Sequence, residues 1–429
     1  MANPFYVWTT FSGAKSACGY YRIEVPLRSL EQAKFAEVYY DEGKHTKDSQ
    51  LALLYSDVAL FYSLSGAPFL HQVKTLRGIR PGQRGDIKLH PPTLIYDADD
   101  NTDFVHPFNT TYAHLGVRDY PDGRLLRPGE ALAFTDDSGK EHIAWEDGVS
   151  RYEDIIFNIA NNLKELKIRH EAIRLCHGAT VTSKPLATYY QEVLGQKNVH
   201  IYPNTVVIDD YDQIPVVRTD QKIRILWQGS QSHYIDWWPL RFAVKELAEK
   251  YKDKVTFVIW GQWFDWIHDI IPDSMVEHHF WTPYEAYKLK RGLLNCDINL
   301  CPLADNAFNA CKSAIKWYEA SIWDSPEATL AANTITYSEI KDGKTGLLYN
   351  NPQEFIDKLS LLIENADLRK KLAHNAKEWV LTNRTPENTT SALFDFYVET
   401  RSRQKREQGN PIIAPSTVEE MKNILTALR

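Results

Sequence analysis

Lys312, Lys316 and Glu319 follow one another at intervals of four and three residues in the run CPLADNAFNACKSAIKWYEA, residues 301–320. If the run turns helical after its apolar start, a rotation of 100° per residue gathers these side chains on one narrow stripe. Beside it runs an apolar stripe of Cys311, Ile315, Tyr318 and Ile322. On an isolated helix, two ammonium groups and a carboxylate are a solvated face with i,i+4 pairing. At a strand-to-helix junction of a parallel sheet they also lie where phosphorylated ligands bind. Two more junctions of that kind stand out. Gly13 and Gly19 in SGAKSACGYYRIEVPL allow close backbone approach after a first strand, and Trp227-Gln-Gly-Ser-Gln-Ser-His233 passes from a strand through small residues into a helix. Asp97-Ala-Asp99-Asp100 ends another strand. Its carboxylates suit either a hard cation or the positioning of a hydroxyl substrate, and Asn101 suits a helix cap.

The elements that would carry these groups alternate. FYVWTT, AEVYY, DVALFYS and TLIYDADD read as strands, separated by helical runs from about 23 to 34 and through FLHQVKTL. That rhythm predicts βαβ units on a parallel sheet. It is interrupted over 107–150, where EALAFTDDSGKEHIAWEDG reads as a hairpin inside an insertion. It resumes with a helix from about 150 to 170, IRLCHGATVTS and VHIYPNTVVI. Residues 209–221 read as a linker, and a second alternating series starts with KIRILWQGS, KVTFVIWG and CDINLCPL. The expected fold class is α/β, with two tandem doubly wound, Rossmann-like domains, 1–210 and 222–405, and an amphipathic helix over 410–429.

A chain of 429 residues with 43% hydrophobic and 24% charged residues has enough apolar surface for two cores. A formal charge of −7 argues against indiscriminate nucleic-acid binding. Five scattered cysteines read as free thiols. With no basic region leading a long apolar run near the start, a cytoplasmic protein is expected, with peripheral contact at a membrane surface left open. There is no G-x-G-x-x-G and no G-x-S-x-G; the Gly-Lys-Thr at 343–345 has Ser338 where a phosphate loop needs glycine.

DINLCPLADNAFNACKSAIKWYEASIWDSPEATLAANTITYSEIKDGKTGLLYNNPQEFIDKL, with CGYYRIEVPLRSL, ATVTSKPL, IYPN and the Gly-Ser of LWQGSQSH, resembles the retaining GT-B glycosyltransferases of family four. The resemblance implies two Rossmann-like domains with an interdomain cleft and a last helix crossing back to the first domain. It also implies transfer of a sugar from a nucleotide-diphosphate donor, UDP- or GDP-linked, to a hydroxyl acceptor with retention, with no metal or other cofactor required. Glu319 matches the second glutamate of the family's Glu-x7-Glu pattern, which holds the donor ribose; the first falls on Cys311, at a position facing the donor sugar. Lys312, with Ser313 and Lys316, would face the diphosphate, joined by Gly19, Gly229, Ser230 and His233. Trp260 and Gly261 sit where relatives seat the nucleobase, core packing being the other reading of Trp260. Asp99 and Asp100 would position the acceptor or stabilise charge.

The acceptor stays open. Lys74, Arg77, Arg80, Arg84 and Lys88 form a basic stretch that reads as a solvated loop or as a seat for an anionic acceptor, a lipid phosphate or DNA with a hydroxymethylated base. A nucleotide-sugar epimerase on the same plan and a non-catalytic nucleotide-sugar-binding protein are the competing functions.

Overall fold

The computed structural model describes residues 5–10, 16–41, 43, 46–79, 82–84, 87–89, 91–109, 111–119, 123–130, 132–135, 141–145, 156–211, 218, 220–261, 264 and 266–408. Gly13, Arg80, the side chains of Arg84 and Lys88, and the amphipathic segment 410–429 lie outside them. Two compact units emerge, one from 1–100, 164–204 and 386–429, the other from 101–163 and 205–385.

The first unit is built on six parallel strands, β1 (Tyr6–Thr10), β2 (Glu37–Asp41), β3 (Val58–Tyr62), β4 (Thr93–Ala98), β5 (Gly178–Val181) and β6 (Val199–Ile201). They lie in the order β6-β5-β4-β3-β1-β2. Every residue of β4 is buried, as a strand covered by helices on both faces requires. The second unit repeats the plan with β7 (Ile223–Gly229), β8 (Val255–Gly261), β9 (Val276–His279), β10 (Ile298–Cys301), β11 (Ala328–Ala332) and β12 (Leu347–Tyr349), ordered β9-β8-β7-β10-β11-β12. In each sheet the strand order reverses once, between β1 and β3 and between β7 and β10. Loops leaving the carboxyl ends of such strands diverge and open a ligand crevice.

Local differences from the sequence reading have physical causes. The helix expected over 23–34 starts at Ala17, where Ser16 caps it by accepting the Gly19 amide at 3.1 Å, and passes through a π turn, Tyr20–Glu24, before ending at Gln32. The helix expected over 150–170 runs over Ile159–Leu175. The hairpin is present as Leu132–Thr135 against Glu141–Trp145, and it belongs to the second unit. Residues 386–405, grouped by sequence with the second domain, belong to the first unit, together with the residues that follow up to 408. Their helix, α1 (Thr390–Gln408), inserts Leu393 and Tyr397 among Val7, Ile23, Val58 and Ile95.

Candidate functional site

In the second unit the strand-to-helix junctions carry a cationic cluster. The helix after β10, α2 (Ile315–Ser321), is seven residues long and starts later than expected. Lys312 precedes it in extended backbone, φ −71° and ψ 164°, so Lys312 and Cys311 do not belong to helical stripes. The Lys312 ammonium lies 4.4 Å from the centre of the Phe308 ring, and half-buried Ser313 follows it. Lys316, on the helix, comes within 3.0 Å of His233 Nε2. His233 Nδ1 is 2.6 Å from Asp236 Oδ2. Burial, then the Lys316 charge, pushes the His233 imidazole down to about 4, while desolvation pushes the Lys316 ammonium down to about 8.

Gly229 and Gly261, at the ends of β7 and β8, are glycines for steric reasons. A Cβ on Gly229 would lie 2.9 Å from the His233 ring and 3.4 Å from Lys316 Nζ. Gly261 has φ +108°, and a Cβ there would lie 2.3 Å from the Gly229 carbonyl oxygen. Backbone and ammonium can therefore meet above β7. Ser230 is exposed, its hydroxyl 2.7 Å from that of Ser232.

Glu319 is held in a network of its own. Its carboxylate is buried, with Oε1 accepting from Tyr211 at 3.3 Å and Tyr284 at 3.2 Å, and Oε2 from Gln228 and Tyr287, both at 3.0 Å. Gln228 extends the network to Arg291, which forms a two-point pair with Glu327 at 2.7 and 2.6 Å. A ribose at Glu319 would have to displace tyrosine hydroxyls. Trp260 packs in the core with Leu226, Val258 and Leu294, stacked on His279 at 5.3 Å, so its side chain follows the packing reading. Cys311 is buried and its sulfur accepts from Asn101 Nδ2 at 3.6 Å; Asn101 makes no side-chain cap for the 3-10 turn Thr102–Phe104.

The first unit is acidic where its strands end. Arg22, brought inward by the π turn, pairs at two points with Asp97, at 2.9 and 2.7 Å. Thr180 donates to the same carboxylate at 2.5 Å. The first carboxylate of Asp97-Ala-Asp99 is thus engaged by a guanidinium. Asp99 accepts from Tyr62 at 3.1 Å. Desolvation and then Asp100 push its carboxyl up to about 6, and Asp99 in turn raises the thiol of exposed Cys18. The Gly19 amide, expected at a phosphate, is engaged by Ser16. Lys74 pairs with Glu171 at 2.7 Å, which fits the solvated reading of the basic stretch for that residue, and Arg77 ends an exposed helix turn.

Two groups escaped the sequence reading. Asp236 sits in YIDWW, which matches no motif, and His106 lies just before the insertion, in a stretch that belongs to the second unit, a placement no pattern announces. His106 is buried, pushed down to about 4 by desolvation against the opposing charge of Asp236. Among the described residues no group of His, Cys, Asp and Glu could hold a metal ion, and no helix is long and apolar enough to cross a membrane.

No family model matches the sequence, and a search of curated proteins gives no match. Solved structures do match. Sucrose-phosphate synthase from Thermosynechococcus elongatus is similar over 94% of this chain and 100% of that one, at 8% identity and a TM-score of 0.53. HepE from Anabaena, solved with UDP and glucose, is similar over 92% and 100%, at 12% identity and a TM-score of 0.50. TarM matches 79% of this chain at 14% identity and a TM-score of 0.47, and this chain spans 54% of TarM's length. At such identities the likeness is one of architecture, and it agrees with the two parallel six-stranded sheets: the chain has the GT-B fold, two Rossmann-like units in tandem.

Proposed function

We propose that the chain is a glycosyltransferase that moves a sugar from a nucleotide-diphosphate donor, a UDP-sugar first and a GDP-sugar second, to a hydroxyl acceptor with retention. The observation that carries this reading is the approach of Lys316, His233 and Gly229 at the end of β7, beside the β7/β10 strand-order reversal, with Lys312 on the loop after β10. Ammonium groups there would bind a diphosphate by charge-assisted hydrogen bonds and stabilise the charge that builds as it departs. The GT-B fold shared with sucrose-phosphate synthase and with UDP-bound HepE supports the same ligand class. In the transfer, the bond from the anomeric carbon to the diphosphate oxygen breaks, a bond to the acceptor oxygen forms on the same face, and the acceptor proton passes to the departing phosphate. Positioning and leaving-group stabilisation then supply the rate, and no side-chain base is needed. Asp99 and Asp100 are the groups we assign to the acceptor, held by Tyr62 and the end of β4. Their charge favours a neutral polyol over a phosphate-bearing acceptor.

The test is a thermal-shift series with UDP, GDP and dTDP and their glucose conjugates, because a ligand that binds only the folded state raises the melting temperature. A rise with one nucleoside diphosphate and with its sugar is expected, followed by sugar transfer to a polyol acceptor in a mass-spectrometric assay. No shift with any of them would overturn the reading.

A further inference from the structure

Asp236 is 4% exposed, yet both of its oxygens are engaged. Oδ1 accepts from the Ala304 amide at 2.8 Å and from Asn309 Nδ2 at 2.7 Å. Oδ2 is 2.6 Å from His233 Nδ1, and on the far side of that ring Nε2 lies 3.0 Å from Lys316 Nζ. Asn309 is itself fastened, its side chain donating to the Ala304 carbonyl at 2.9 Å and its own carbonyl accepting from Thr336 at 2.7 Å. One hydrogen-bonded chain thus runs from the loop after β11, through the loop after β10, to the junction after β7. It ends on an ammonium group beside Gly229.

Donor and acceptor roles along this chain leave one arrangement. A carboxylate can only accept, so Nδ1 carries the proton; an ammonium can only donate, so Nε2 presents its lone pair. We propose that Asp236 is a positioning residue for the donor's pyrophosphate: it fixes His233 as the Nδ1–H tautomer, whose Nε2 holds the Lys316 ammonium in place and leaves its remaining N–H groups for phosphate oxygens. The proposal rests on the nucleotide-sugar reading for its ligand, but not for its tautomer. Fixing one ligating group through a second hydrogen bond on the imidazole is how outer groups orient inner ones at other polar sites.

The charged and titratable groups around Lys316 are His233, Asp236, Lys312, Glu319 and Cys301, and those around Asp236 further include His106, Tyr337 and Tyr349. Asp236 favours the charged form of Lys316, and Lys312 opposes it. With the ammonium pushed down to about 8, affinity for a pyrophosphate falls as pH rises through that value. Loss of the Asp236 charge moves this fall to lower pH.

Asp236→Asn is the informative change. The Ala304 amide and the Asn309 amide both need an acceptor, so the new amide keeps its oxygen there and turns its NH2 to His233. Nδ1 must then accept, Nε2 must carry the proton, and that N–H confronts the Lys316 ammonium. The experiment uses 15N-histidine-labelled full-length protein, with His233 assigned by its loss in His233→Gln. Wild type should show Nδ1 protonated and Nε2 bare, and Asp236→Asn the reverse. UDP titration should give an affinity about tenfold weaker in Asp236→Asn at pH 7.5, with its alkaline decline displaced to lower pH. A wild-type His233 protonated at Nε2 overturns the proposal whether or not the variant folds. So does a tautomer swap that leaves UDP affinity and its pH profile unchanged. Absence of UDP, GDP and dTDP binding by wild type, with the tautomer as described, would instead remove the ligand and sink the nucleotide-sugar reading.

Discussion

The two sheets share a plan and differ in the charge they set at their strand ends. In the first unit Asp97, Asp99 and Asp100 cluster at the end of β4, where Asp97 pairs with the Arg22 guanidinium; in the second, Lys312 and Lys316 stand over β7 and β10. Among the described residues each unit also contains a buried two-point Arg–carboxylate clamp, Arg22–Asp97 and Arg291–Glu327. The difference teaches that a parallel sheet supplies a place for a ligand and leaves its sign to a few loop residues. A cationic end suits a pyrophosphate, an anionic end suits neutral hydroxyl groups.

The strongest way to break the comparison is to break the clamps. Arg22→Met and Arg291→Met each strand a buried carboxylate, and each should cost about 3–5 kcal/mol in urea unfolding. A loss below about 1 kcal/mol in either would show that the two clamps are not equivalent. Next, Lys312→Ala should weaken UDP binding by about 1.5–3 kcal/mol in calorimetry, as for a hydrogen bond to a charged group, while Asp99→Asn leaves it unchanged; equal losses would erase the contrast between the two ends. Glu319→Gln should lower stability by about 1–2 kcal/mol, since an amide NH2 meets tyrosine hydroxyls that had been donating. Its UDP affinity should stay near wild type; a drop of tenfold or more would put Glu319 on the ribose after all. The smallest effect is electrostatic. The Asp99 carboxyl is raised to about 6 in the folded chain against an ordinary 3.8, so its ionisation opposes folding: the penalty is absent below about pH 4, grows between 4 and 6, and is complete above. Asp99→Asn should therefore stabilise the protein by about 1 kcal/mol at pH 7.5, with solvent screening included, and by nothing at pH 3.5.

The double α/β rhythm was legible because buried parallel strands are short apolar runs, and VALFY, TLIYDA and INLC are all buried nearly end to end. The lysine at 316, the histidine at 233 and the two strand-end glycines were legible through the family resemblance, and the structure brings them together. Other assignments depended on details that periodicity does not carry. A three-residue delay in the start of α2 removes Lys312 from the helix, and four donors arriving from three other segments turn Glu319 into part of the core network. Asp236 was invisible for the same reason. Its partners Ala304 and Asn309 are 68 and 73 residues away, so nothing in the neighbouring letters signals the contact.

The placement of α1 has a consequence for how the chain is made. Arg401 donates to the Pro91 carbonyl at 2.7 Å and Gln404 hydrogen-bonds Thr93, so the start of β4 is fastened by residues more than three hundred positions downstream. During translation β1 through β6 emerge long before that helix does, and most of the second unit, residues 205–385, is synthesised in between. The half that appears first on the ribosome is thus the half that finishes last, waiting with an uncovered flank until its closing helix leaves the exit tunnel.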